Sequence, residues 1–325
     1  MRRAALLVLA LAAGFVLLAA AGLFFAAHSS RVLEWGLARL AAVSSGRLQF
    51  EGVSGSLADV PSVARVRFRD GDVSGEARDV RLDWYPAALV FGRLSVASIE
   101  VSEMEVNIAS TDAPSPVPQD LVLPLSVGLD SALVHKLIVR FDDTTIPIEA
   151  LRFAYRGDAS GHQLEHLSAR VYGATASGDA TLAAKPPFAL AGTLGVQYAQ
   201  PPVPLDADIR LGGTLERVEA TIAARAKPFE SATATLVLAP FAVGWLADAK
   251  ARIEGLDLAK LDTAAPVTTI ALSATARFDE KGRPTGELVA ENGSAGPIDK
   301  NALPIARATS RYTIEPDGTV VLDPV

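Results

Sequence analysis

From Arg47 to the carboxyl end, apolar side chains return at every second position, and this period restricts the chain more than any other feature in it. Val66 and Phe68 alternate with Arg65, Arg67 and Arg69; Val80, Leu82 and Trp84 with Asp79, Arg81 and Asp83; Met104, Val106 and Ile108 with Glu103, Glu105 and Asn107. Leu137, Val139 and Phe141 have Arg140 among them, and Leu205, Ala207, Ile209 and Leu211 alternate with Asp206, Asp208 and Arg210. Ile270, Leu272, Ala274, Ala276 and Phe278 are spaced by residues that include Ser273 and Thr275. A period of two gives a strand one apolar and one polar face. Turn chemistry punctuates the runs at Asp70-Gly71-Asp72, Gly157-Asp158 with Ser160-Gly161, Gly178-Asp179, Gly212-Gly213, Lys281-Gly282 and Pro316-Asp317-Gly318. Short connections between such strands predict an antiparallel meander, mainly β, with short helical inserts at 86–91 and 241–247 and a proline-rich loop at 114–118.

An antiparallel sheet with one apolar face has to cover that face. A closed barrel, a two-sheet sandwich and an elongated sheet folded into a trough would each do so. The chain supplies no long amphipathic helix to lie on the sheet, and only 6% of its residues are aromatic. A trough filled by something other than protein is therefore compatible with the pattern, which does not by itself choose among the three.

The amino end differs from everything after it. Behind Arg2 and Arg3, Ala4 to Ala27 carries no charged or polar side chain. At about 1.5 Å per residue this is enough to cross the roughly 30 Å hydrocarbon core as a helix. The leading arginines place the amino terminus in the cytoplasm and everything after about His28 on the other side. Ala27-His28-Ser29 also fits a signal-peptidase site, but a signal-peptide apolar region is shorter, about 7–15 residues, so an uncleaved anchor is the preferred reading. Between Arg31 and Ser45, Val32, Leu33, Leu37, Leu40 and Ala41 stand at helical spacing, with Trp35 near the membrane surface. The expected division is a cytoplasmic tip and anchor at 1–30, a short juxtamembrane helix at 31–46 and a β region at 47–325.

Charge and composition exclude several functions. With 30 Lys and Arg against 37 Asp and Glu and a net charge of −7, the chain lacks the basic footprint that nucleic acid requires. Having no cysteine, it has no thiol nucleophile, disulfide or cysteine metal site. One string has enzyme-like order: His162-Gln163-Leu164-Glu165-His166 matches H-x-x-E-H. That metal chemistry needs a helix to bring His162, Glu165 and His166 to one side, and the flanking sequence reads as strand, so they form a weak metal site at best. Asp142-Asp143 and the pair Asp206 and Asp208 read as solvated positions, and Asn292-Gly293-Ser294 as a turn. Gly192, Gly195, Gly212 and Gly213 read as strand breaks or bulges, not a phosphate loop. No catalytic residue and no cofactor is expected.

Several phrases resemble the inner-membrane-anchored TamB and AsmA-like proteins of Gram-negative bacteria. They run from Gly46-Arg47-Leu48 through Val53-Ser54-Gly55-Ser56-Leu57 and Val66-Arg67-Phe68-Arg69-Asp70 to Leu82-Asp83-Trp84-Tyr85-Pro86, Leu89 and Gly92-Arg93-Leu94-Ser95-Val96. Gly255-Leu256-Asp257-Leu258-Ala259-Lys260-Leu261, Asn292 to Asp299 and Leu303-Pro304 are similar to phrases that recur in the family. Members of the family are several times longer, and the chain corresponds to an N-terminal part. The resemblance implies an anchor in the inner membrane and a periplasmic, U-shaped β-sheet with a hydrophobic groove. It also implies phospholipid passage between inner and outer membrane and outer-membrane protein assembly with a TamA-type partner. The groove candidates are the apolar-face positions Phe50, Val66, Phe68, Leu82, Trp84, Val96, Val106, Val139, Phe141, Ile209, Leu211, Leu272 and Phe278. The rival expectation is a non-enzymatic periplasmic scaffold with a closed, dry β core.

Overall fold

A computed structural model describes residues 47–324, apart from 57–58, 110–116, 142–143, 201–202, 243–245, 263, 279–282 and 315–318. The expected anchor at 4–27, the helix at 31–45, Asp142 and Asp143 lie outside the described residues, as do the turn residues Lys281, Gly282, Pro316, Asp317 and Gly318. Among the described residues the chain is almost entirely β, with seventeen strands, three short 3₁₀ turns and no α-helix. No helix in this part is long and apolar enough to cross a membrane.

The chain divides into two compact units, residues 1–109 with 127–147, and 110–126 with 148–325. The first contains β1 (Leu48–Ser54), β2 (Ser62–Asp70), β3 (Val73–Trp84), β4 (Arg93–Ile108) and most of β5 (Ser126–Phe141). β1 to β4 pair antiparallel in chain order, with Phe50 opposite Val66, Phe68 opposite Gly75 and Gly75 opposite Val106. The expected insert at Pro86–Phe91 is a 3₁₀ turn between β3 and β4, closed by Gly92 in the left-handed region. One neighbour pair departs from the meander. Glu100 pairs with His135 (2.9 Å), Glu103 with Lys136 (2.7 Å), and Glu105 with Arg140, so the partners rise together along β4 and β5. Parallel neighbours give that order; in an antiparallel pair Glu105 and Arg140 would lie roughly 30 Å apart. The connection over 109–125 has the dozen or so residues that a parallel crossover needs.

The second unit takes in β6 (Thr144–Gly157) from Ile148 onward, β7 (Gly161–Val171), β8 (Ala174–Ala183), β9 (Leu190–Tyr198), β10 (Leu205–Thr214) and β11 (Arg217–Ala226). It continues with β12 (Phe229–Leu238), β13 (Leu246–Leu256), β14 (Ile270–Phe278), β15 (Pro284–Asn292), β16 (Arg307–Ile314) and β17 (Val320–Pro324). Each strand is antiparallel to the next, and no register among the described residues closes β17 back onto an earlier strand, so the sheet is open.

Three local expectations are corrected. Gly178-Asp179 and Gly212-Gly213 are not turns: the first lies inside β8 and the second near the end of β10. A β-carbon on Gly178 would run into the Thr193 carbonyl and come within 2.9 Å of Leu194 Cα, so this glycine serves a close strand approach. The turn between β7 and β8 is instead Tyr172-Gly173, both at positive φ (47° and 82°), as a tight hairpin turn requires. Gly192 and Gly195 neither break nor bulge β9, which keeps register with both neighbours. In the expected helix at 241–247, Ala242 closes a turn on the Ala239 carbonyl, and Leu246 and Ala247 already belong to β13.

Where the alternation would slip, the backbone corrects it. In β3 the apolar positions change from Gly75 and Ala77 to Val80, Leu82 and Trp84, and Asp79 between them stands at φ 51°. Arg78 and Arg81 consequently face the same side and reach Glu103 and Glu100. Phe68 lies across Gly75, where an added β-carbon would stand 2.5 Å from ring atoms Cε1 and Cζ and closer still to the Glu105 carbonyl. Gly75→Ala should therefore cost about 1–3 kcal/mol. Gly212→Ala, where a β-carbon meets nothing within 4 Å, should be neutral or stabilising by up to about 1 kcal/mol. Urea midpoints of the two variants check the contrast.

Candidate functional site

The two faces of the first unit are chemically opposite. On the polar face an ion-pair ladder runs across the strands. Glu51 takes Arg65 (3.2 Å) and Arg67 (2.7 Å), Glu76 takes Arg67 (3.1 Å) and Arg78 (2.7 Å), and Glu103 takes Arg78 (3.0 Å) and Lys136. Strands two-faced in sequence bring these charges into line because the register sets Arg67 against Glu76 and Gln49 against Arg67. Hydrogen bonds from Arg78 and Arg67 hold the Glu76 carboxyl below its usual range, Lys136 does the same for Glu103, and His135 for Glu100. The acids keep the cations charged in turn, with Arg67 and Arg78 raised chiefly by their bonds to Glu76.

On the other face the same register makes an apolar surface. Phe50, Val66, Ala77 and Met104 form one cross-strand row, and Leu48, Phe68, Gly75 and Val106 the next. Leu82 with Ile99 and Trp84 with Val96 form a second patch toward the other strand end. Val96 is buried; Phe50, Val66, Phe68, Leu82, Trp84, Val106 and Val139 remain half-buried, and Phe141 is exposed. A face packed under another layer would hold several fully buried large side chains, since a core residue is enclosed on all sides. Among the described residues only Phe188 meets that description.

In the second unit Ile209 stands between Leu194 and Ile222, and Leu211 between Gly192 and Ala220. Leu272 stands between Ile253 and Ala290, and Phe278 opposite Pro284. All four candidates are half-buried, while Asp206 and Asp208 are exposed on the polar face, alternating with Leu205, Ala207 and Ile209. One end of the unit is plugged by its own chain. Phe188 and Ala184 are completely buried there, and the Leu121 N–H donates to the Ala184 carbonyl (2.8 Å). Nothing in the alternating pattern marks Phe188, which sits in the loop between β8 and β9; Tyr155 and Leu121 were also not singled out.

His162 belongs to this plug. A carbonyl only accepts, so His162 Nε2 donates to Leu121 O (2.9 Å), which leaves Nδ1 to accept the Tyr155 hydroxyl proton (2.6 Å). Burial raises the Tyr155 pKa. Both imidazole nitrogens are thus engaged. His162, Glu165 and His166 lie on strand β7, not a helix; Glu165 pairs with Arg156 (3.4 Å), and the His166 N–H donates to Asp179 (2.8 Å) at a positive-φ residue. No group of three or more potential ligands able to hold a metal occurs among the described residues. At Asn292 the side chain accepts from the Ser294 N–H and hydroxyl, both at 3.2 Å, which makes a turn.

Grooves lined by described residues open on the polar faces. One of about 530 Å³ is lined by Arg47, Gln49, Arg67, Arg69, Glu76 and their neighbours, another of about 480 Å³ by Lys250, Arg277, Glu287 and Arg311 with theirs. Neither presents a nucleophile with an adjacent base.

These features define a class: open β-sheet proteins with a self-neutralised polar face and an apolar face that their own chain leaves half-covered. The family model for TamB, N-terminal domain, matches residues 16–225, well over half of the chain. The chain belongs to the TamB family. No curated protein and no solved structure matches it.

Two outcomes follow from this geometry. The carboxyls of Glu76, Glu100 and Glu103 release protons more readily in the folded than in the unfolded chain. Their stabilising contribution is therefore present above the ordinary carboxylate pKa and is lost as pH falls through the lowered values. Melting scans should show Glu76→Gln below the wild-type chain near about pH 7, with the gap closing as the pH falls into the acid range. His162→Ala strands the Leu121 carbonyl and the Tyr155 hydroxyl and should cost about 1–3 kcal/mol, whereas Glu165→Gln should stay within about 0.5 kcal/mol. Denaturation curves, with zinc content measured alongside, separate this role from a metal-ligand one.

Proposed function

We propose that this chain is the inner-membrane-anchored, N-terminal part of a TamB-type protein of the translocation and assembly module. In this reading its apolar sheet faces shield the acyl chains of phospholipids moving between inner and outer membrane. Residues 4–27 anchor it, the β region lies in the periplasm, and a TamA-type outer-membrane β-barrel is the partner in outer-membrane protein assembly. The observation that carries the reading is that each unit has a half-covered apolar face, bearing Phe50, Val66, Phe68 and Val106 in one and Ile209, Leu211 and Leu272 in the other. Large apolar side chains that own-chain packing leaves half in water are matched by a ligand that is itself apolar and mobile.

The physics suits passage without catalysis. Each acyl methylene removed from water gains about 0.8 kcal/mol, and an apolar row of even character keeps that gain nearly constant as the chain slides. The polar face stays in water, and no cofactor or nucleophile enters the reading.

A photoreactive amino acid placed in the full-length chain in cells tests it. At Val106 and Ile209 it should capture phospholipid, and at Gln49 and Asp208, on the polar faces, it should capture several-fold less. Protein adducts alone at the apolar positions, or equal lipid capture on both faces, would overturn the groove and favour a scaffold with a closed core.

A further inference from the structure

The 3₁₀ turn between β3 and β4 has no role in the apolar faces. Val90 is 84% and Phe91 79% exposed, and Tyr85, Leu89 and, on the neighbouring β1–β2 loop, Val60 are exposed as well. No charged residue occurs from Trp84 to Gly92, and Arg93 follows immediately. We propose that this tip is a bilayer-contact site, in which Leu89, Val90 and Phe91 enter the boundary between headgroups and acyl chains while Tyr85 and Arg93 stay at headgroup level.

Three observations select a lipid surface over a protein partner. First, the tip provides backbone hydrogen bonds of its own: Ala88 N–H to Tyr85 O (3.0 Å), Gly92 N–H to Leu89 O (3.0 Å) and Tyr85 N–H to Ser95 O (2.9 Å). Pro86 has no N–H to satisfy. Such internal bonding lowers the cost of entering a medium without water, and it leaves little free strand edge for another chain to pair with. Second, the tip is surrounded by solvent: Val90 and Phe91 are largely exposed, and a β-carbon built on Gly92 meets nothing within 4 Å. An exposed apolar tip fits a deformable apolar phase, whereas a protein partner would need a matching socket. Third, the order of aromatic and basic residues at the base with aliphatic residues and Phe beyond is the one favoured at membrane interfaces, where amphipathic rings and arginine sit among headgroups. This contact is independent of the groove, because the tip side chains project from the strand ends and do not belong to the apolar rows.

The chain contains no cysteine, which makes a site-specific probe straightforward. Full-length Val90→Cys and, as control, Asp208→Cys would be labelled with an environment-sensitive fluorophore and reconstituted into phosphatidylethanolamine–phosphatidylglycerol vesicles carrying nitroxide lipids. The probe at 90 should shift to the blue and be quenched at least about threefold more than the control. Adding Phe91→Asp should bring quenching at 90 down toward the control while the urea midpoint stays unchanged, since Phe91 is exposed. Lipid photocapture at Val106 should not change in the Phe91→Asp chain, which separates failure of this site from failure of the groove. Quenching at 90 no greater than at 208 overturns the proposal. So does a blue shift without quenching that depends on protein concentration, which would mark the tip as a contact between copies.

Discussion

In a single sheet, backbone hydrogen bonds fix which residue stands beside which, and the period of two then decides what each face is made of. Here the register sets Phe50 against Val66 and Arg67 against Glu76. A slip of one residue in β2 would bring Arg65, Arg67 and Arg69 among the apolar side chains and Phe68 among the acids. Sites where the sequence itself slips are handled locally, and Ala150 in β6 takes positive φ at a register shift. Asp79 and His166 take positive φ and return the following residues to their proper face. Positive φ is costly for residues with side chains, and it persists where the surroundings over-determine it. The surroundings in this case are ladders of charge on one side and apolar rows on the other.

The faces solve their solvation problems differently. Charges on the polar face neutralise one another across strands, with Glu76 joining Arg67 and Arg78, and Glu103 joining Arg78 and Lys136. Each exposed pair is worth little alone, but a network on one strand surface fixes neighbour choice as well as energy. The apolar face has no such internal remedy, because side chains in one row touch only along their flanks. Where the chain does supply a cover, at Phe188, Ala184 and Leu121, it uses a loop, a histidine with both nitrogens bonded and a tyrosine. That plug shows what a dry closure in this chain requires. Along the rows of Phe68 and Ile209 the residues remain half-buried or, at Ala251 and Leu288, exposed.

The strand faces were legible from residue type alone, since Val66 and Phe68 among arginines, or Ile209 between Asp208 and Arg210, leave little choice of orientation. Connections were less legible. Gly178-Asp179 has the composition of a turn but serves a strand so close to its neighbour that a β-carbon would strike the Thr193 carbonyl. The true turn, Tyr172-Gly173, carries a bulky residue at positive φ that composition argues against. The parallel order of β4 and β5 depends on partners Glu105 and Arg140, far apart in sequence, and no local period encodes direction. His162 was singled out for a motif whose geometry belongs to helices; its neighbours Tyr155 and Leu121 in space could not be paired with it by spacing. The separation of the apolar candidates into buried Val96, half-buried Phe68 and exposed Phe141 likewise depends on what lies over each position.

The family match ends at residue 225, in β11, yet the apolar row does not end with it. Leu194, Ile209 and Ile222 stand side by side on β9 to β11, and the register carries the same row on through Ala234, Ala251, Ala274 and Leu288. An antiparallel ladder transmits register from each strand to the next, so a strand added in phase inherits the row whatever its own sequence ancestry. Only the size of the side chains changes, from leucine and isoleucine to alanine and back to leucine. In the proposed reading, a surface that shelters acyl chains needs continuity of apolar character more than any particular residue, because methylene burial is non-directional and scales with area. That tolerance lets β12 to β15 preserve the face beyond the reach of the family pattern.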